Sequence, residues 1–207
     1  EAGHQSLPYS FEFKSHPPGG FIGNFMFDSP GWWWFHFAGV IQDRLETEAI
    51  QCPAKQLEDP MLKHNVLSGN YGVNRSLCTT AYTSPSLREE FGGPPLSTDH
   101  IRHPGSTLLI LDSGYSFVSW WHATADPPVA TDGAKIEDTT YVPGLEINRD
   151  RALWTGQSHD AVGGRHPNKT VNVGFADGHA ELKKAEDLLV EKTQDECYTN
   201  TALWQGR

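Results

Sequence analysis

The chain has 207 residues, a length that suits one large domain or two small ones and that buries an apolar core without help from metals. Hydrophobic residues make up 37% of it, and 20 Gly with 14 Pro predict a loop-rich domain whose core depends on aromatic side chains. The net charge of −10 argues against a nucleic-acid partner and a polybasic membrane contact, because both require clustered Lys and Arg.

The N-terminal part of the chain divides into an irregular segment and the start of a globular domain. Residues 1–31 combine prolines with scattered aromatic residues, which predicts an irregular segment anchored by aromatic side chains. The globular domain is expected to span residues 32–207. Residues 32–46 place apolar side chains close to helical spacing and predict the first helix. Prolines punctuate residues 52–100, so this stretch is predicted to be mostly loop with short strands.

The middle of the chain predicts two strands and a long loop. Residues 107–112 form a short apolar run, which indicates a strand buried on both faces. Residues 115–121 predict a second strand, joined to the first by a turn at Ser113–Gly114. Residues 122–164 are polar and rich in Gly and Pro, which predicts a long surface loop.

The C-terminal part predicts a β-hairpin followed by a helix. Residues 170–176 alternate in a way that favours a strand, and Asp177–Gly178 is a strong hairpin turn signal. The return strand is expected to start at residues 179–182. Apolar residues fall on one face of residues 181–192, which predicts an amphipathic helix. The fold class expected from these elements is α+β.

Three ordered stretches carry a family resemblance. The first pairs residues 50–53, IQCP, with residues 71–74, YGVN. The second is PGSTLLILDS at residues 104–113, and the third is RHPNKTVNVGFADGHAEL at residues 165–182. Over about residues 30–185, their order and spacing resemble prepilin-type, processing-associated proteins with an H-x9-DG motif, which are related to type II secretion pseudopilins. Here ten residues separate His166 from Asp177, so one extra residue follows His166.

The resemblance implies a pilin-like head, in which an antiparallel sheet of short strands with long loops packs on an N-terminal apolar helix. We expect that helix to precede Glu1. The implied role is a structural subunit of a type II secretion pseudopilus or type IV pilus-like fibre, and not an enzyme. The implied location is exported and bacterial, at the periplasmic face of the inner membrane or in an extracellular fibre. The implied partners are other pilin-like subunits and the secretion apparatus, with membrane contact only through the helix.

Two further expectations follow from this resemblance. A head without its helix should be mainly monomeric and expose an apolar patch, for which we expect a border at Trp33, Phe37, Leu109 and Leu111. Export would permit a disulfide, and Cys52 and Cys78 flank the strand-like YGVN stretch. We therefore expect a Cys52–Cys78 bridge with Cys197 free, and three buried thiols are the alternative.

The motif residues that carry the resemblance are predicted to have a structural role and not a chemical one. They are Asp112, Arg165, His166, Asp177, Gly178 and His179. Asp177 is expected to cap backbone N–H groups in a turn where Gly178 adopts positive φ. His166 is expected to bond nearby backbone. The alternative is a ligand site, because His and carboxylate side chains bind metals or move protons.

The sequence contains only weak indications of a metal site or a hydrolase site. An acidic loop could collect calcium through Asp126, Asp132, Glu137 and Asp138, although the composition favours a solvated acidic loop over a calcium site. No other cofactor is expected. The sequence has no CxxC, no Cys–His ligand spacing and no G-x-S-x-G elbow, so we expect no tightly held transition metal and no hydrolase activity. Adjacent Ser, His and Asp at residues 158–160 do not make a triad, which requires convergence in space.

Five tryptophans offer either core packing with a subunit interface or a ligand platform. They are Trp32, Trp33, Trp34, Trp120 and Trp121. Three consecutive Trp side chains cannot all face one core, so at least one is expected at a surface. An exported carbohydrate-binding module that uses these rings is one rival function, and a metal-dependent hydrolase is another.

Overall fold

The structure is a computed structural model that describes residues 6–12, 32–37, 48–81, 91–126, 140–195 and 197–206. Its strands are β1 (Phe11–Glu12), β2 (Trp32–Trp33), β3 (Tyr71–Asn74), β4 (Leu108–Asp112), β5 (Phe117–Val118), β6 (Thr170–Phe175) and β7 (Ala180–Lys184). Its helices are α1 (Trp34–Phe37), α2 (Pro60–His64) and α3 (Thr201–Gln205). Single turns of 3₁₀ helix and one π turn, His159–Gly163, join these elements. Within these ranges, no helix is both long enough and apolar enough to cross a membrane.

A five-stranded mixed sheet in the order β5-β3-β4-β6-β7 forms the centre of the fold, and β1 and β2 form a separate pair. The fold therefore mixes α and β structure around one sheet with few helices. The expected all-antiparallel sheet is wrong in one place, because β5 runs parallel to β3 and does not return beside β4. The reason lies in the turn after β4, where the Ser113 and Gly114 amides donate to the carbonyls of Asn70 and Tyr141. With the turn held by these bonds, the chain crosses β3, and β5 pairs with the far edge of β3.

The predicted hairpin at the C-terminal side is confirmed. β6 pairs with β7 from Thr170 opposite Lys184 to Gly174 opposite Ala180. Gly178 has a φ of +94° in the turn, a conformation that costs a residue with a side chain more than it costs glycine. The predicted helix over residues 181–192 is wrong. Its first residues extend β7 to Lys184, and only one 3₁₀ turn, Ala185–Leu188, follows.

The predicted first helix is much shorter where the structure describes it. Trp32–Trp33 pairs with β1 as a strand, and only Trp34–Phe37 is helical. The Trp34 amide donates to the Ser10 carbonyl, which ties this segment to residues 6–12. Residues 1–5 and 13–31 of the expected N-terminal segment and residues 38–46 of the expected helix lie outside the described ranges.

The sheet lies between two clusters of buried side chains. Cross-strand neighbours Leu111 and Val173 belong to the first cluster, with Trp121, Leu145 and Trp204. Val73 belongs to the second cluster, together with Trp34, Phe35, Cys78 and Phe117, and its cross-strand neighbour Ile110 packs against that cluster. Side chains that are directly paired across strands share a face, so the two clusters cover opposite faces. β4 is the predicted strand at residues 107–112, although Leu109 and Ile110 remain half-buried.

The predicted surface loop over residues 122–164 is largely wrong where it is described. Tyr141, Val142 and Leu145 are buried in it, and so are Asn148 and Asp160. The Asn148 side-chain amide donates to the carbonyls of Val142 and Ala161. The polar side chains that predicted a surface loop therefore serve to satisfy buried backbone groups. The predicted strand at residues 115–121 is reduced to β5, because a 3₁₀ turn begins at Trp120.

The buried His122 makes the stability of this fold sensitive to acid. Burial first, and the nearby positive charges of Arg151 and Arg75 second, hold the pKa of His122 well below its usual 6.5. Below pH 6.5 the unfolded chain binds a proton that the folded chain does not, so the free energy of unfolding falls as the pH falls. His122→Asn should remove up to about 1.4 kcal/mol per pH unit from this slope in urea titrations between pH 6.5 and 5. His100→Asn, at an exposed position, is the control, and an unchanged slope in His122→Asn would contradict the assignment.

Candidate functional site

A buried arginine lies at the centre of the polar interior. Arg165 follows the π turn His159–Gly163, and its side chain has no exposed surface. Its Nε donates to both carboxylate oxygens of Asp160, at 2.8 and 3.0 Å. Its Nη2 donates to Asp160 Oδ2 at 2.8 Å and to the Ser113 carbonyl at 2.7 Å. Its Nη1 donates to the Asn70 carbonyl at 2.8 Å, so one guanidinium joins three segments of the chain.

The Asp160 carboxylate is held on several sides. The Tyr141 hydroxyl donates to Oδ2 at 2.8 Å, and the Gln56 backbone amide donates to Oδ1 at 2.8 Å. Burial first, and the Asp160 charge second, raise the pKa of Tyr141 well above its usual value, so its hydroxyl stays a hydrogen-bond donor. Burial alone would lower the pKa of Arg165, but Asp160, Tyr141 and Asp112 outweigh it and the pKa is raised. The arginine is therefore a permanent buried cation.

A second buried carboxylate, Asp112 at the end of β4, faces the sheet neighbour β6. Its Oδ2 accepts from the Asn172 amide at 2.6 Å and from Asn172 Nδ2 at 3.2 Å. His166 Nε2 lies 3.2 Å from the same oxygen and 2.9 Å from Asn172 Nδ2. The other oxygen, Oδ1, has no hydrogen-bond partner among the described residues, and Arg165 Nη1 is 3.8 Å away.

Cys52 completes a cluster with Asp112 and His166. One ligand-type atom from each of these three side chains lies within 4.8 Å of the other two. The Asn70 side chain accepts from the Cys52 backbone amide at 2.9 Å. Burial first, and the charge of the neighbouring Cys52 second, raise the pKa of the Tyr71 hydroxyl. Burial raises the pKa of the Cys52 thiol, and the Arg165 charge opposes this effect. We call Cys52, Asp112 and His166 the CDH cluster.

Lys55 adds a second basic group near this region. Burial first, and the Arg165 charge second, lower the pKa of Lys55 to about 8. Its ammonium donates to the Ser68 carbonyl at 3.4 Å. No sequence pattern indicates this lowered pKa, because it arises from burial and from the Arg165 charge, which the fold brings close to Lys55.

The stretches that carry the family resemblance meet in this interior. Cys52 comes from IQCP, Asp112 from the apolar stretch, and Arg165 and His166 from the third stretch. The YGVN stretch contributes Gly72, where a Cβ would lie 2.5 Å from the Tyr115 carbonyl oxygen, so the close approach requires glycine. These residues lie far apart in the chain and become neighbours only through the sheet.

The end of β6 holds the other motif residues. Asp177 Oδ1 accepts from the His179 amide at 3.1 Å, as expected of a turn cap, and from His179 Nδ1 at 2.5 Å. The His179 ring stacks on Phe175 with centroids 4.3 Å apart. Because β6 separates them, Asp177 and His179 lie at the opposite end of the strand from His166. The expected backbone bond of His166 is replaced by contacts with the side chains of Asp112 and Asn172.

The expected disulfide is wrong, because Cys52 and Cys78 are separate free thiols. Cys78 is buried in the second apolar cluster, where burial raises its pKa to about 12, whereas Cys52 belongs to the polar interior. Cys197 is free and exposed. The Cys52 thiol therefore lies among polar groups, and the Cys78 thiol lies in the apolar core.

The remaining candidate residues do not form the sites considered for them. The three consecutive residues at 158–160 diverge, since Asp160 is bound to Arg165 while Ser158 and His159 are exposed. Of the calcium candidates, Asp126 is exposed, and Asp132, Glu137 and Asp138 lie outside the described ranges. Trp34, Trp120 and Trp121 are buried at 4–7% exposure, which confirms core packing for these three and excludes them from an exposed ligand platform. The side chains of Trp32 and Trp33 lie outside the description.

No protein-family model, curated protein or solved structure matches the chain. The site is therefore interpreted from its own geometry and from the sequence resemblance.

Replacing Arg165 should test its structural role. Arg165→Met leaves Asp160 buried without its cation, and we expect the free energy of unfolding to fall by about 3–5 kcal/mol. Arg149→Met is the matched control, because Arg149 is exposed and pairs only with exposed Glu146 in the described contacts. Urea denaturation of both variants measures the difference. Equal midpoints for the two variants would show that the buried network does not hold the fold.

Proposed function

We propose that this chain is the globular head of a pilin-like structural subunit, which assembles into a type II secretion pseudopilus or a related type IV pilus-like fibre. The observation that carries the proposal is the convergence of the three resembling stretches in one interior. In a structural head, such stretches maintain the fold on which the assembly surface is built, and the head itself performs no chemistry.

Each stretch contributes an anchor that joins distant segments. Asn74 of YGVN is fully buried, and its Nδ2 donates to the Leu108 carbonyl in β4 and to the Trp204 carbonyl in α3. Gly105 lies against the hairpin turn, where a Cβ would come 3.0 Å from Asp177 Oδ2. The three stretches thus serve as internal anchors, which supports a structural reading of the pattern.

One region of the sheet offers a place for the helix on which a pilin-like head packs. Ile110 of β4 pairs with Gly174 of β6, and Gly174 pairs with Ala180 of β7. Leu182 of β7 pairs with Asn172 of β6 on the same face of the sheet. The second apolar cluster reaches this face at Ile110, whereas Ala180 is exposed and Leu182 keeps 61% of its surface exposed. We propose that an apolar N-terminal helix packs over Ala180 and Leu182.

The expected border of that contact has to be moved. Leu111 is 1% exposed and belongs to the first cluster on the other face, so it cannot border the helix. Leu109 is half-buried against the second cluster. The side chains of Trp33 and Phe37 lie outside the description. Leu182 replaces Leu111 as the residue with which to test the contact.

The test is expression of the complete gene in its bacterial host, with and without the prepilin peptidase. We expect the peptidase to shorten the product and the mature subunit to appear in sheared fibres or in the membrane fraction. Leu182→Asp should reduce incorporation severalfold, because it places a charge in the proposed helix contact. Met61→Asp, at another exposed apolar residue, should incorporate normally. A product of the same size in both strains that never enters an assembly would contradict the proposal.

A further inference from the structure

We propose that the CDH cluster, Cys52, Asp112 and His166, binds one divalent transition-metal ion, with Zn²⁺ as the best match to its ligands. This inference goes beyond the structural role proposed above and does not depend on it. It also departs from the sequence expectation of no tightly held transition metal, because the three ligands come from three separate stretches.

The spacing of the ligand atoms suits a tetrahedral ion. Zn²⁺ with ordinary bond lengths to N, O and S places its ligand atoms roughly 3.3–3.6 Å apart. His166 Nε2 and Asp112 Oδ2 are already 3.2 Å apart, and the cluster with Cys52 closes within 4.8 Å. His166 keeps 20% of its side chain exposed, which gives an ion a way in from solvent. A small inward movement of the thiol would complete the three-ligand set.

The buried Asp112 carboxylate is incompletely satisfied by the protein. The Asp112 side chain has no exposed surface, and its Oδ1 has no hydrogen-bond partner in the described part of the chain. Leaving a buried charged oxygen unpaired is costly. Its nearest cation, Arg165, already donates to other acceptors and stays 3.8 Å away. A divalent ion bound at Oδ2, beside His166, would withdraw negative charge from the whole carboxylate and so reduce the penalty at Oδ1.

The ligand types favour Zn²⁺ over hard cations. Thiolate and imidazole select zinc-like ions, whereas calcium and magnesium prefer oxygen ligands alone. Outer contacts already orient the ligands, since Asn172 holds Asp112 and the Asn70 side chain holds the Cys52 backbone. Three protein ligands would leave a fourth position for water.

The test is metal titration of the chelator-treated protein. We expect one equivalent of Zn²⁺ by elemental analysis, a rise of the melting temperature with Zn²⁺, and a thiolate-to-metal charge-transfer band with Co²⁺. Cys52→Ser and His166→Gln should each weaken binding at least tenfold. Cys197→Ser removes the exposed thiol and should change none of these readouts. Near-ultraviolet circular dichroism of the metal-free forms checks that each variant is folded.

A double variant keeps the test decisive if Cys52→Ser does not fold. In Cys78→Ala with Cys197→Ser, only Cys52 remains, so a cobalt–thiolate band there assigns the ligand. Absence of stoichiometric Zn²⁺ and of the cobalt band in the wild type would overturn the proposal. Unchanged affinity in folded Cys52→Ser would overturn it as well. In either case His166 and Asp112 form an ordinary hydrogen-bonded pair.

Discussion

The fold depends on burying one guanidinium group. Removing an arginine from water costs several kcal/mol unless its donors find acceptors, so the chain has to supply them in fixed positions. Arg165 obtains them from Asp160, from the Asn70 carbonyl before β3, and from the Ser113 carbonyl after β4. Asn70 and Ser113 flank the paired residues Tyr71 and Asp112 of β3 and β4, and the guanidinium joins this end of the sheet to Asp160. At the same end of the sheet, the Ser113 and Gly114 amides donate to the carbonyls of Asn70 and Tyr141. The chain after β4 crosses β3 there, so β5 lies at the edge of the sheet, parallel to β3.

The arrangement of the CDH cluster follows from this constraint. Fixing Arg165 places the next residue, His166, beside the end of β4, where Asp112 is held by Asn172 of β6. Asn70 accepts from Arg165 through its carbonyl and from the Cys52 amide through its side chain, so the same residue sets the position of the thiol. Asn70 thus positions both the buried Arg165 and the CDH cluster. A structural role for the motif and a metal site within it are compatible, because the metal would neutralise charge that the scaffold has already buried.

Local signals were sufficient for parts of the fold and insufficient for the site. Alternation and Asp177–Gly178 predicted the β6–β7 hairpin, because turn chemistry and strand period act over neighbouring residues. The helix predicted over residues 181–192 failed because pairing with β6 outweighs a weak helical pattern. Residues 140–164 read as a surface loop, since their polar side chains gave no hint that they satisfy buried backbone. The local sequence suggests Asp160 only as part of an adjacent Ser-His-Asp run, and its ion pair with Arg165 is visible only in the folded chain.

A double-mutant cycle between Arg165 and Asp160 tests the central claim most directly. Urea denaturation of Arg165→Met, Asp160→Asn and the double variant gives the coupling free energy of the two side chains. If the buried pair organises the interior, the double variant is less destabilised than the sum of the single variants, with a coupling of about 2–3 kcal/mol. Additive effects, with a coupling near zero, would contradict the account, because the guanidinium would then be held by other contacts.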